Sequence, residues 1–162
     1  MASTISAADL KVKITEEVIL NGKDQGGTTE LTIASIKDVS KRIVTIAADD
    51  DATVLVFKST TASADNDLDK DTVKYIRITN LDDSNSVNIS LQLDSGEDNS
   101  AADLSVTHLL EAGRSFMMGT PDEAVHADDD AATIVTALTD LESIIVDPGS
   151  NAGTVEVFTA ST

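Results

Sequence analysis

Apolar side chains return at every second residue through most of this chain, and that period limits what it can fold into. Leu10, Val12, Ile14, Val18 and Leu20 share one parity, with Lys11, Lys13, Thr15 and Glu17 on the other. Successive side chains of a β-strand point to opposite faces, so such a segment buries one of its two sets by becoming a half-buried strand. Glu16 interrupts the apolar set and predicts a bulge or an edge exit there. The cluster NGKDQGG opens on Asn21-Gly22, and TTELTIASI follows it, so the two alternating runs read as a hairpin.

Further strands are predicted at SKRIVTIAA from Ser40 and ATVLVFKS from Ala52, separated by an ADDD turn. After the polar run TTASADNDLDKD, residues 74–97 read as strand, turn and strand. Ile76, Ile78 and Asn80 line one face of the first, and Val87, Ile89, Leu91 and Leu93 one face of the second. Their link, LDDSNS, is rich in side chains that hydrogen-bond their own turn backbone. LSVTHLLEAG alternates through Leu104, Val106, His108 and Leu110, and RSFMMG continues it after a glycine break. TIVTALTD reads equally as strand or short helix; SIIVD and TVEVFTA are strands on either side of an Asp-Pro-Gly turn. ADDDATVLV near Ala48 echoes ADDDAATIV near Ala127, which turn-then-strand chemistry explains without a duplication. About nine or ten short strands with regularly spaced turns predict an all-β fold, a β-sandwich of jelly-roll or immunoglobulin-like type. We expect a single domain over residues 1–162 with a short N-terminal arm over about residues 1–8.

Only Phe57, Phe116, Phe158 and Tyr75 are aromatic, so Ile, Val, Leu and Ala must build the core. Acidic residues outnumber basic ones 29 to 11, a formal charge of -18. Phosphate contacts dominate nucleic-acid binding and anionic lipids repel acid, so neither nucleic acid nor membrane is an expected partner. There is no cysteine, hence no disulfide, thiol nucleophile or zinc-thiolate site. The start MASTISAADLKVKITEE has no basic and then apolar leader, so assembly in a cytoplasm is expected.

Chemistry-bearing patterns are few. Asp65, Asp67, Asp69 and Asp71 alternate like the start of a calcium loop, but Lys70 stands where glycine belongs and Ile76 where the closing glutamate belongs. An acidic solvated loop is the expectation, with no functional metal. His108 falls on an apolar strand face and is expected buried; His126 sits in an acidic loop. No Gly-x-Ser-x-Gly elbow and no glycine-rich phosphate loop occurs. The Asn88-Ile89-Ser90 acceptor pattern has no meaning without export. Phe116, Met117 and Met118 are expected in the core. No catalytic, cofactor-binding or metal-ligating residue is assigned, no cofactor is expected, and the chain is expected not to be an enzyme.

SKRIVTI, DTVKYIRITNLDDSNSVNISLQL, LLEAGRSFMMG and a closing VEVFTAST occur in that order. Together with the MASTIS start they resemble a family of small virion structural proteins of marine tailed phages, cyanophages among them. The family's segment before the Phe carries a carboxylate or Gln where Arg114 stands here. The resemblance implies a non-enzymatic virion component assembled in a host cytoplasm. The expected role is a head decoration or cement (minor capsid) protein, with a tail or fibre-adaptor subunit as the alternative. A carbohydrate-binding attachment module is a third reading, which an exposed Tyr75 beside Asp and Asn would favour. The expected partners are copies of the chain itself, as a trimer held through its ends, and other virion proteins such as the major capsid protein.

Overall fold

A computed structural model describes residues 6–58, 67–93, 104–127 and 137–162. Residues 1–5 of the expected arm, Asp65, and the ADDDAATIV echo beyond Ala127 lie outside them. The strands are β1 (Ala8–Glu16), β2 (Ile19–Leu20), β3 (Lys23–Asp24), β4 (Gly27–Ile36), β5 (Asp38–Ile46), β6 (Ala52–Lys58), β7 (Asp67–Asp69), β8 (Val73–Asn80), β9 (Val87–Leu93), β10 (Leu104–Leu110), β11 (Ser115–Met118), β12 (Leu141–Asp147) and β13 (Gly153–Ser161). Setting aside the two-residue β2 and β3 and the three-residue β7 leaves ten strands. No helix occurs among the described residues. The fold is all-β, and two sheets packed face to face make it a β-sandwich. One sheet has the order β10-β9-β12-β6-β7 and the other β11-β8-β13-β5.

The core lies between these sheets. Val87, Ile89, Leu91 and Leu93 point inward from β9, as their alternation requires. Ile76 and Ile78 of β8 and Val155 and Val157 of β13 meet them from the other sheet. Each fully buried Ile, Leu or Val contributes about 1.5–3 kcal/mol relative to exposure. Phe57 is the aromatic among the fully enclosed core residues, and the rest of that cluster is aliphatic.

β8 and β9, read as one hairpin over residues 74–97, do not pair with each other; residues 94–97 lie outside the described ones. β8 belongs to the four-stranded sheet and β9 to the five-stranded one, so the link between them crosses the sandwich. Asn80, which is completely buried, pins this link. Its Nδ2 donates to the Asn85 carbonyl at 2.8 Å and the Leu110 carbonyl at 3.2 Å, and its Oδ1 accepts from the Asp82 amide at 3.0 Å. Asp82 then holds the turn, its Oδ1 accepting from the amides of Ser84 and Asn85. These bonds, led by the Asn85 amide, hold the Asp82 carboxyl below its usual range. Self-bonding turn chemistry is as expected; it serves a crossing between layers.

A second link joins the layers at the other side, where the Arg42 guanidinium of β5 donates to the Val54 carbonyl of β6. The acidic run after β6 is also not entirely loop. β7 pairs parallel to β6, with Leu68 opposite Phe57 and packed on the core.

The first hairpin forms as predicted and is longer than its strand assignments imply. β1 pairs β4 from Leu10↔Ile33 to Glu16↔Gly27, and β2 pairs β3 through Ile19↔Asp24 and Leu20↔Lys23. Each of these pairs of numbers sums to 43, so one register runs from Leu10↔Ile33 to the tip. Asn21 (φ 52°) and Gly22 (φ 76°) close it, the two positive φ values a tight hairpin turn needs. The ladder breaks after Glu16, where the sequence placed a break. There a side chain on Gly26 would stand 2.0 Å from the Glu16 carbonyl oxygen, so glycine is required. At the base, Ala8↔Ile36 and Leu10↔Ile33 frame a bulge containing Ser35 (φ 64°).

The parity of this hairpin is right but its burial is not. Leu10 and Val12 are half-buried, whereas Ile14 is 42% exposed. The hairpin lies on the outer face of the four-stranded sheet, and only its base reaches a covering surface.

Candidate functional site

The half-covered hairpin, here called the ribbon, is amphipathic. Leu10 and Ile33, Val12 and Leu31, and Ile14 and Thr29 face each other on one side; Lys11 and Thr32, Lys13 and Glu30, and Thr15 and Thr28 on the other. At its base Leu10, Val12 and Ile33 pack on Ile36, Tyr75, Phe158 and Ala160, a cluster separate from the main core. From Lys13 to Thr32 every described residue but Gly26 is exposed. Val18, Ile19, Leu20 and Leu31 are thus large apolar side chains left in water.

Between β1 and the outer sheet face runs an open groove of about 390 Å³. Val12 and Ile14 form one wall; Tyr75, Met117 and Phe158 form the floor. Tyr75 and Phe158 meet edge to face, their ring centres 6.0 Å apart. The Arg77 guanidinium lies 5.8 Å over the Phe158 ring and donates to Glu156 at 2.5 Å. Lys41 reaches the other Glu156 oxygen at 2.9 Å. The bond to Lys41 first, and Arg77 second, hold the Glu156 carboxyl below its usual range. Tyr75 is only 7% exposed and burial pushes its hydroxyl up, so its ring offers no open stacking face for a sugar.

The aspartate run has a different organisation from a calcium loop. Asp67 and Asp69 lie in β7, and the Asp69 Oδ1 accepts from the Asp71 amide at 3.0 Å. Lys70, the residue that spoils the metal pattern, is the centre of the local electrostatics. Its ammonium donates to Asp122 at 3.0 Å and to Asp140. The Asp140 bond is the main cause of the raised Lys70 pKa, against the opposing effect of burial. Burial pushes the Asp140 carboxyl up, but Lys70 and the Glu123 amide outweigh it and hold it below its usual range. Among the described residues no three His, Asp or Glu side chains converge as a metal site.

His108 is exposed, contrary to expectation. β10 is an edge strand on which only Leu110 is buried, and the His108 ring lies beside Phe116, 5.9 Å between ring centres. His126 is half-buried, its Nδ1 3.3 Å from the Thr139 hydroxyl. Phe116 and Met118 pack against the core while Met117 is 42% exposed in the groove, so the Phe-Met-Met segment serves both faces of its sheet. Asn88 is half-buried within β9. Arg114 is exposed and pairs with Glu111 at 3.8 Å. The structure does not bring the two histidines and the aspartate run together with a nucleophile. The groove and the Lys70 cluster were not visible in the sequence, because their members come from distant segments.

No protein-family model matches this chain, and no curated protein matches it. Among solved structures, a chain from work on Bacillus endospore appendages, described as a novel family of disulfide-linked pili, is similar at 14% identity. The match covers 76% of this chain and 85% of that one, with a TM-score of 0.37.

Proposed function

We propose that this protein is a non-enzymatic structural subunit of an assembled particle. Its finer role, in our reading, is a virion surface protein of a tailed phage that decorates the head. The observation that carries the subunit reading is the ribbon: an ordered amphipathic hairpin whose apolar face is covered by its own chain only at the base. Exposed apolar surface of this kind is costly to keep in water and marks a contact with a neighbour. The virion reading rests on the resemblance, whose segments fall on β5, β8, β9, β11 and β13. The strong acidity suits an outer surface that must not bind packaged DNA.

Immunogold labelling of purified phage particles with an antibody to this chain tests both levels. Dense labelling over the head supports decoration; a single spot at the tail vertex moves the protein to the tail. Particles that lack the chain altogether overturn the virion reading.

A further inference from the structure

Charge is divided unevenly along this chain. Residues 1–46 hold six cations (Lys11, Lys13, Lys23, Lys37, Lys41, Arg42) and six anions (Asp9, Glu16, Glu17, Asp24, Glu30, Asp38), a net of zero. The remaining residues hold five cations and 23 anions, so they carry the whole -18. Exposed apolar side chains follow the neutral part. Of the twelve large ones exposed among the described residues, seven (Ile14, Val18, Ile19, Leu20, Leu31, Val39, Ile43) lie within residues 1–46.

Two surfaces complement each other here: the ribbon tip, within this neutral part, and the groove, which joins residues 10–14 of it to Tyr75, Arg77, Ser115, Met117 and Phe158 of the rest. The ribbon tip presents Val18, Ile19 and Leu20 beside Glu16 and Glu17, with Lys23 and Asp24 cancelling. The groove is apolar along its floor and lined by three cations, Lys11, Lys13 and Arg77, with no acid among its lining residues. Arg77 is already paired with Glu156 at 2.5 Å and Lys11 lies 4.0 Å from Glu30, so Lys13 is the cation the groove offers most openly to an acid of the tip. The tip cannot fill its own groove. Ile19 is seven residues beyond Val12 on one antiparallel ladder, about 24 Å along a strand.

We infer that the ribbon tip of one copy seats in the groove of a second copy of this chain. This rests on the subunit reading above. The tip and the groove are different surfaces, so the contact is head-to-tail. Repeated with a rotation that closes, it makes a ring; a reciprocal pair is the smallest closed form and a trimer the next. The acidic remainder of each subunit stays outside the contact, where its repulsion is screened over about 8 Å at physiological salt.

The test uses the full chain and two variants changed only at exposed positions. Ile19→Asp with Leu20→Asp spoils the tip; Met117→Asp with Lys13→Glu spoils the groove. Mass by size-exclusion chromatography with light scattering is read for each, with far-UV circular dichroism to confirm the sandwich. The wild type is expected as a closed species of two or more chains, and each variant alone as a single chain with an unchanged spectrum. Mixed in equal amounts, the two variants retain one intact tip and one intact groove between them. The mixture is therefore expected to give two-chain species and nothing larger. Variants that assemble like the wild type place the contact elsewhere and sink this inference while leaving the subunit reading intact. A mixture that stays single-chain shows that tip and groove are not partners. A wild type that is single-chain in solution yet present on particles makes the neighbour a different protein, which also overturns it.

Discussion

Replacing Asn80 with Ala tests whether the crossing between sheets depends on one amide. The substitution orphans three backbone groups at once: the carbonyls of Asn85 and Leu110 and the amide of Asp82. The bond to Leu110 is buried, so that carbonyl loses its partner without gaining water, at about 1–3 kcal/mol. The bonds to Asn85 and Asp82 are partly buried, and water replaces the amide in part, leaving about 0.5–1.5 kcal/mol each. The sum is about 2–6 kcal/mol. For a chain of this size that is a fall in Tm of roughly 5–20 °C, read by differential scanning calorimetry. Asn85→Ala is the control. It removes one side-chain bond, to Asp82 at 3.3 Å, and should cost under about 1 kcal/mol. Asn80→Ala melting within about 2 °C of wild type would show that the turn crosses the sandwich without the amide, and the account given for Asn80 would fail.

Ile89→Asp puts a charge at a position with no exposure in the centre of β9, and the expected outcome is an unfolded chain by circular dichroism. Lys70→Met leaves Asp122 and Asp140 facing each other without their cation; with both acids more than a third exposed, solvent screening limits the loss to about 1 kcal/mol by urea titration. The pH dependence follows from Asp140. Its folded-state carboxyl lies below the usual range, so its contribution is present above the ordinary carboxylate pKa and is lost as pH falls through the depressed value. Wild type should therefore lose stability in acid more steeply than Lys70→Met, and parallel curves would contradict this. A chelator should leave the Tm unchanged, and a fall restored by calcium would reinstate a metal at the aspartate run.

Period-two alternation carried information about faces and none about what covers them. Val87, Ile89, Leu91 and Leu93 were legible as a buried face because each is bulky and the opposite parity is polar. Leu10, Val12 and Ile14 gave the same signal, yet only the first two find a cover, since the floor beneath the ribbon ends near Tyr75 and Phe158. The Asn21-Gly22 turn and the break after Glu16 were readable because they depend on local backbone chemistry. Whether β8 and β9 pair was not. A hairpin and a crossing between layers use similar polar turn residues, and the anchoring role of Asn80 shows only in its bonds to Asn85 and Leu110. β7 was hidden for the converse reason: Leu68 is its single apolar side chain, too little for any periodicity. His108 shares the parity of Leu110 but sits farther along an edge strand, where alternation no longer means burial.

These differences separate folding from assembly within one chain. Among the described residues the main core includes none before Val44, so β1 through β4 contribute nothing to it. They attach through the small cluster of Ile36, Tyr75 and Ala160 and through a single-residue joint, Lys37, whose amide bonds the Ser161 carbonyl at 2.8 Å. Gly26→Ala exploits that separation. A Cβ there would stand 2.0 Å from the Glu16 carbonyl oxygen, against backbone that has no flexible end to move aside. The upper ribbon must therefore shift or open while the sandwich, some distance away and independently packed, does not. The expected result is hydrogen exchange that quickens at residues 16–27 and stays slow in β9 and β12, with Tm nearly unchanged. Assembly should weaken in the same variant, because the tip no longer holds its position. Uniform loss of protection across both sheets would mean that the ribbon is an integral part of the core, and the division between a folding unit and a docking element would not stand.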